Sequence, residues 1–182
     1  MKKAHNTQIH LDERLYLCAK NVRLGSTVAD IGADHAYIAI WLILNEVCPR
    51  AIATDLRSGP LMNAQKNIFK YGVADKIEAR ISDGLDAVFP AEVEDIIIAG
   101  MGGELIMQII ARAGWLRDPT KHLVLQPKWN CENSWLLRNL KSFRSKLSSL
   151  AAKFTLLCRS FLTPTFPVAM SFIPILAGLT TI

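Results

Sequence analysis

The chain has 182 residues, 51% of them hydrophobic and 20% charged, with a net charge of +5 from 21 Lys+Arg and 16 Asp+Glu. That is enough for one domain with a substantial core, and it excludes wholesale disorder, a collagen repeat and a low-complexity chain. The charge is uneven: residues 134–182 hold six basic and no acidic side chains, while residues 1–133 are close to neutral.

In chain order, Leu11, Leu15 and Cys18 share a helical face, which predicts an N-terminal helix at about 8–21 packed on the domain. Val28 to Gly32 reads as a buried strand ending in a turn, Ala36 to Leu44 as a helix, and Ala51 to Asp55 as a second strand. A helix over Pro60 to Tyr71 follows, with proline at its start and Gly72 at its end. Ile77 to Ser82, Asp95 to Ala99 and His122 to Gln126 are three further strands, with a helix over Gly103 to Ala113 before the last. The run Asp95-Ile96-Ile97-Ile98-Ala99 is continuously apolar after its first residue, as for a strand covered on both faces. Strands alternating with helices of this length predict an α/β fold with a doubly wound, mostly parallel, Rossmann-like sheet.

The cysteines, at 18, 48, 131 and 158, form no C-x-x-C pair. No zinc site or disulfide framework is expected, and free thiols in a reducing cytoplasm fit better. The basic N-terminus is not followed by the apolar stretch of a signal peptide.

In an open α/β sheet, ligands bind beyond the carboxyl ends of the strands. Those loops here are Asp30-Ile31-Gly32-Ala33-Asp34-His35, Asp55-Leu56, Ser82-Asp83-Gly84-Leu85, Gly100-Met101-Gly102-Gly103 and Gln126-Pro127. Asp55 lies 23 residues beyond Gly32, a spacing suited to a strand-end acid that hydrogen-bonds ribose hydroxyls. A dinucleotide site wants bare glycines in the first loop, because a pyrophosphate must sit on backbone. Asp34 and Tyr37 stand in those positions, which disfavours an NAD-dependent oxidoreductase. An acid there suits a nucleoside carrying positive charge, and S-adenosylmethionine is such a ligand. Asp30 and His35 are equally readable as loop caps, and Asp83-Gly84 as an ordinary turn.

Together these residues resemble one family. Val28 to Tyr37 is similar to the V-A-D-I-G-[S/A]-D-H-[G/A]-Y signature of the bacterial tRNA (adenine-22-N1)-methyltransferases. Ser58-Gly59-Pro60, Asp83-Gly84-Leu85, Ile98 to Gly103 and Leu125-Gln126-Pro127 resemble its later motifs, in order. The resemblance covers about residues 8–140. It implies a class I methyltransferase domain using S-adenosylmethionine, with tRNA as partner and no metal. It implies that Asp30, Gly32, Asp34 and His35 border the methionine part of the cofactor. Asp55 would take the ribose, with Leu56 beside the adenine, and Asp83, Gly84 and Leu85 would read the adenine edge. Gly100 and Met101 also join the cofactor set. Asp34, Gly102, Gly103 and Gln126 are candidates for positioning the target base, with no obligatory general base.

Beyond about residue 140 the family pattern stops. No acid follows Glu132, and the last 23 residues carry no charge and three prolines. A membrane segment, an RNA-binding arm and a change of reading frame near 134–142 would each produce some of this. The frame change accounts for the loss of acids, period and motif at one place. It predicts that the strands after the fifth are lost or altered, leaving strand 122–126 as a bare edge. A truncated non-catalytic product retaining at most cofactor binding is the corresponding alternative function. Oligomeric state is not legible.

Overall fold

The computed structural model describes residues 9–128, 153–157 and 170–172. Asp12 opens the first helix, α1 (Glu13–Lys20), by accepting a hydrogen bond from the Leu15 amide on Oδ1 at 2.7 Å. Five βα-type strands follow: β1 (Val28–Ile31), β2 (Ala51–Asp55), β3 (Ile77–Ile81), β4 (Asp95–Met101) and β5 (His122–Pro127). The helices between them are α2 (Tyr37–Leu44), α3 (Ser58–Lys70) and α4 (Gly103–Arg112). Each predicted element is present within a few residues, α1 being shorter at its start. Two single turns of 3₁₀ helix, Pro90–Glu92 and Gly114–Arg117, were not legible.

The sheet order is β3-β2-β1-β4-β5, all parallel, so the chain winds outward from β1 to β3 and then returns past β1 to β4. That reversal between β1 and β4 opens a crevice at their carboxyl ends. The period of two along each strand divides the core. Ile97 and Val124 face the α1–α2–α3 layer with Cys18, Ile40 and Leu42. Ile96, Ile98, Leu123 and Leu125 face the α4 layer with Ile106, Ile109 and Leu116. Each such side chain, removed from water, contributes about 1.5–3 kcal/mol. Helix α2, Tyr-Ile-Ala-Ile-Trp-Leu-Ile-Leu, is apolar nearly all round because α1 covers its outer side, where Tyr16 meets Trp41 edge-on at 5.6 Å.

The expectation of a bare edge at β5 is corrected. Residues 153–156 form β6, parallel to β5 with His122 opposite Lys153, and residues 170–172 form β7, antiparallel to β6. The Leu157 amide donates to Leu125 O at 2.8 Å, and Thr155 and Leu157 are buried. Aromatic Phe154 and β-branched Thr155 favour a strand and Leu156-Leu157 are apolar, a local property hidden by the acid-free composition around it. With this pairing goes the structural argument for a lost C-terminus, whereas the compositional one concerns the coding DNA. The remainder of 141–182, including the last apolar stretch, lies outside the described residues. Among those described, no helix is long and apolar enough to cross a membrane. Cys18 and Cys48 are free and buried, and burial pushes both thiols up to about 12.

Candidate functional site

The loop from β1 to α2 turns through three left-handed residues, Gly32 (φ 70°), Asp34 (φ 47°) and Ala36 (φ 56°). Such backbone is strained for Asp and Ala, and strain of this kind collects at ligand-binding loops. A Cβ at Gly32 would also meet the Met101 methyl, the far end of a flexible side chain that packs against the glycine from the β4 loop and would have to shift. Asn67 of α3 donates to His35 O at 3.0 Å and ties the loop down. The His35 ring stacks on Tyr37 at 5.1 Å and lies 3.6 Å from the Asp34 carboxylate.

Asp55 ends β2 at 8% exposure. Its Oδ1 accepts from the Arg57 amide at 2.9 Å, and among the described residues Oδ2 accepts no hydrogen bond. After β3, the Ser82 hydroxyl donates to Gly84 O at 2.9 Å and accepts from the Ala87 amide at 3.0 Å, which holds the turn. Asp83 is gripped by Arg112 of α4, with Nη1–Oδ2 and Nη2–Oδ1 both at 2.9 Å. That hydrogen-bonded guanidinium holds the Asp83 carboxyl below its usual value. Asp30 lies inside β1, almost wholly buried, and burial pushes its carboxyl up to about 7 against the pull of the Ala39 amide.

These loops border one cleft of about 530 Å³ at the carboxyl ends of the strands. Asp30, Gly32, Asp34, His35, Asp55, Leu56, Asp83, Gly84, Gly100 and Met101 all line it, as the sequence places them. Leu85, Gly102, Gly103 and Gln126 do not. Leu85 packs in the core on the α4 side. Gly102 and Gly103 start α4, and Gln126 is 3% exposed behind the cleft wall. There its Oε1 accepts both from the Gly100 amide at 3.1 Å and from Arg14 Nη1 at 2.8 Å. Arg14, Arg57 and Lys128 also line the cleft, and Arg112 grips one of its acids. Sequence reading missed all four, since basic residues on α1, on α3's threshold, on α4 and after β5 carry no motif. Among the described residues, no group of three or more His, Cys, Asp or Glu is placed to hold a metal.

A doubly wound parallel sheet with an acid-lined cleft at its switch point defines the class of α/β proteins that hold nucleoside-type ligands at strand ends. The sequence profile of the methyltransferase domain matches residues 11–142, and the chain belongs to that family. It is 36% identical over 120 residues to the tRNA (adenine(22)-N(1))-methyltransferase of Bacillus subtilis (strain 168), covering 66% of this chain and 50% of that protein. The crystal structure of the B. subtilis m1A22 tRNA methyltransferase TrmK superposes with a TM-score of 0.63 at 37% identity, covering 66% of this chain and 51% of that one. The structure of M. capricolum TrmK with its cofactor product S-adenosyl-homocysteine gives 0.54 at 35% identity, covering 57% and 47%. The chain thus spans about half the length of these relatives.

Proposed function

We propose that this chain binds S-adenosylmethionine in the strand-end cleft and transfers its methyl group to N1 of an adenine in tRNA, adenine 22 by analogy with its relatives. The observation that carries the reading is the convergence of the β1, β2, β3 and β4 loops, with their ordered motifs, on one cleft. The donor set fits the cofactor. Asp55 has a carboxylate oxygen available for a ribose diol, and Asp34 puts negative charge at the cleft where a cationic part of the cofactor would lie, while the buried Asp30 carboxyl offers a hydrogen-bonding group beside it. The same Asp34 repels a pyrophosphate, which disfavours NAD. Residues to about 140 would form the cofactor-binding unit, with 153–157 paired on its edge, and the setting for tRNA modification would be the cytoplasm.

When bound, S-adenosylmethionine supplies an electrophilic methyl group. The protein's part is then to orient and to exclude water. Adenine N1 carries its own lone pair and is mostly unprotonated at neutral pH, so no side chain has to remove a proton before attack. Rate would come from fixing the two reactants in line and from the field around the charge as it moves from sulfonium to base. Leu56, 64% exposed at the rim, would cover the cofactor's adenine, and Gly100 and Met101 would border the path of the target base. The target has to leave its helical stack to reach that path.

Calorimetry with S-adenosylmethionine and with NAD, followed by mass spectrometry of unmodified tRNA incubated with the chain and cofactor, tests the proposal. Binding of S-adenosylmethionine and appearance of 1-methyladenosine are expected. Cofactor binding with no methylated base would leave a non-catalytic cofactor binder. Binding of NAD alone would overturn the reading.

A further inference from the structure

We infer that the outer edge of β3 is a self-association surface, on which two copies of this chain pair antiparallel about a two-fold axis at Ala79. In the order β3-β2-β1-β4-β5-β6-β7, β3 is outermost, and among the described residues no strand lies beyond it. Lys76 O accepts from the Ala51 amide at 2.9 Å, and the Ser82 amide donates to Asp55 O at 3.0 Å. Backbone groups alternate sides along a strand, so Glu78 and Arg80 also turn theirs to β2, and Ala79 and Ile81 turn N–H and C=O outward. Such a row is a template for a further strand.

The sequence of β3, Ile77-Glu78-Ala79-Arg80-Ile81, is complementary to itself when reversed. Antiparallel pairing centred on Ala79 sets Ile77 opposite Ile81 and Glu78 opposite Arg80, each twice. Ala79 would exchange both backbone bonds with Ala79 of the second copy. The Ile81 amide would donate to Ile77 O across the axis, whereas the Ile77 amide is already given to Val73 O at 3.1 Å. Within one copy Arg80 pairs with Glu78 at 2.8 Å and with Glu92 at 3.0 Å. Across the axis each Glu78 gains a second Arg80 beside it, so signs alternate around the four residues. Charge also fixes the register. A slip of one residue pair either way would set Glu78 opposite Glu78 or Arg80 opposite Arg80.

The apolar side chains agree with that register. Ile68 and Phe69 of α3, with Ile77 and Ala79 of β3, line a groove of about 430 Å³ beside the edge. Ile81 is 57% exposed and Phe69 82% exposed. Directly opposed residues share a face, and Ile77 and Ile81 both stand on the α3 side of the sheet. Ile81 of the second copy therefore lies beside Ile77 and enters the groove, with Phe69 next to it. The same contact forms twice, which closes the two-fold pair and leaves neither β3 edge bare.

Sedimentation of the full chain from micromolar to millimolar concentration tests this, and a monomer–dimer equilibrium is expected. Glu78→Arg sets arginine opposite Arg80, and Ala79→Pro removes the central donor while leaving the bonds to β2. Each should weaken dimerisation by roughly tenfold or more, with the wild-type circular dichroism. Leu24→Ser, at an 83% exposed site before β1, should change nothing. Ala79→Cys should cross-link to itself under diamide above the wild-type background, because the Cα atoms of a hydrogen-bonded pair stand about 5.5 Å apart. Ile81→Cys, held a strand length from its own copy, should not. A chain monomeric throughout would overturn the inference. So would undiminished dimerisation in Glu78→Arg, an equal loss in Leu24→Ser, or cross-linking of Ile81→Cys in place of Ala79→Cys. Should Ala79→Pro fail to fold, Glu78→Arg and the two cysteine variants still decide.

Discussion

His122 Nδ1 lies 3.1 Å from Asp95 Oδ2, across the first register pair of β4 and β5. Asp95 is fully buried and also accepts from the Arg23 amide at 2.8 Å and from Arg23 Nε at 2.7 Å. The other ring nitrogen of His122 lies 3.2 Å from Thr155 Oγ1 on β6. One polar chain therefore crosses the amino end of the sheet, from the turn before β1 to the strand that covers β5.

Removing the centre of that chain takes a partner from buried His122, whereas Arg23, 40% exposed, still donates to Glu94 O and Thr120 O. Asp95→Ala is expected to cost about 1–3 kcal/mol, the scale of lost charge-assisted hydrogen bonds, read from the urea midpoint. Thr155→Val keeps the shape and loses one hydrogen bond, so about 1 kcal/mol is expected. Burial pushes the Asp95 carboxyl up, but His122 and Arg23 outweigh it and hold the group below its ordinary value. Its stabilisation is then present above the unfolded value of about 3.9 and lost as pH falls further. Subtracting the urea-derived pH profile of Asp95→Asn from that of the wild type should expose this acid limb, and identical limbs would refute it.

Asp30 has the opposite sign. Its folded value of about 7 lies above the unfolded one, so the folded state binds a proton that the unfolded state has released. Stability should therefore fall as pH rises from about 4 to about 7 and level off beyond. Asp30→Asn should flatten that decline and be the more stable protein at pH 8. A decline of equal size in the variant would assign it to other groups.

Asp55→Ala tests the ribose contact. It should weaken S-adenosylmethionine by about 1.5–3 kcal/mol, the scale of a charge-assisted hydrogen bond, with little change in thermal midpoint of the free protein. Unchanged affinity by calorimetry would remove Asp55 from the site.

Gly32→Ala should weaken cofactor binding for two separable reasons. One is the displacement of the Met101 methyl, and the other is the left-handed backbone, which costs alanine about 1 kcal/mol or more. Met101→Ala in the same chain relieves the first and not the second. The double variant should therefore recover only part of the lost affinity. Full recovery would show that the backbone strain is negligible.

The order of strands and helices, and the acids and glycines at the strand ends, were legible because they are local. A period of two or 3.6 and a turn residue at a strand end require no knowledge of what lies across the molecule. Hence Asp34, Asp55 and Gly100, read from the sequence as strand-end residues, line the cleft. The D-G-L motif does not say which way its leucine turns, and the turn sends the Leu85 side chain into the core. Arg14 was invisible for the opposite reason: its partner Gln126 is 112 positions away, and only the packing of α1 against the sheet brings them to 2.8 Å. The same holds for Arg23 and Asp95, separated by 72 positions, and for β6, whose four-residue stretch carries no signal of the edge it covers. Local pattern by itself determined a doubly wound domain with acids at its strand ends. Which cations share that cleft, and what closes the sheet, depended on contacts that exist only once the layers have packed.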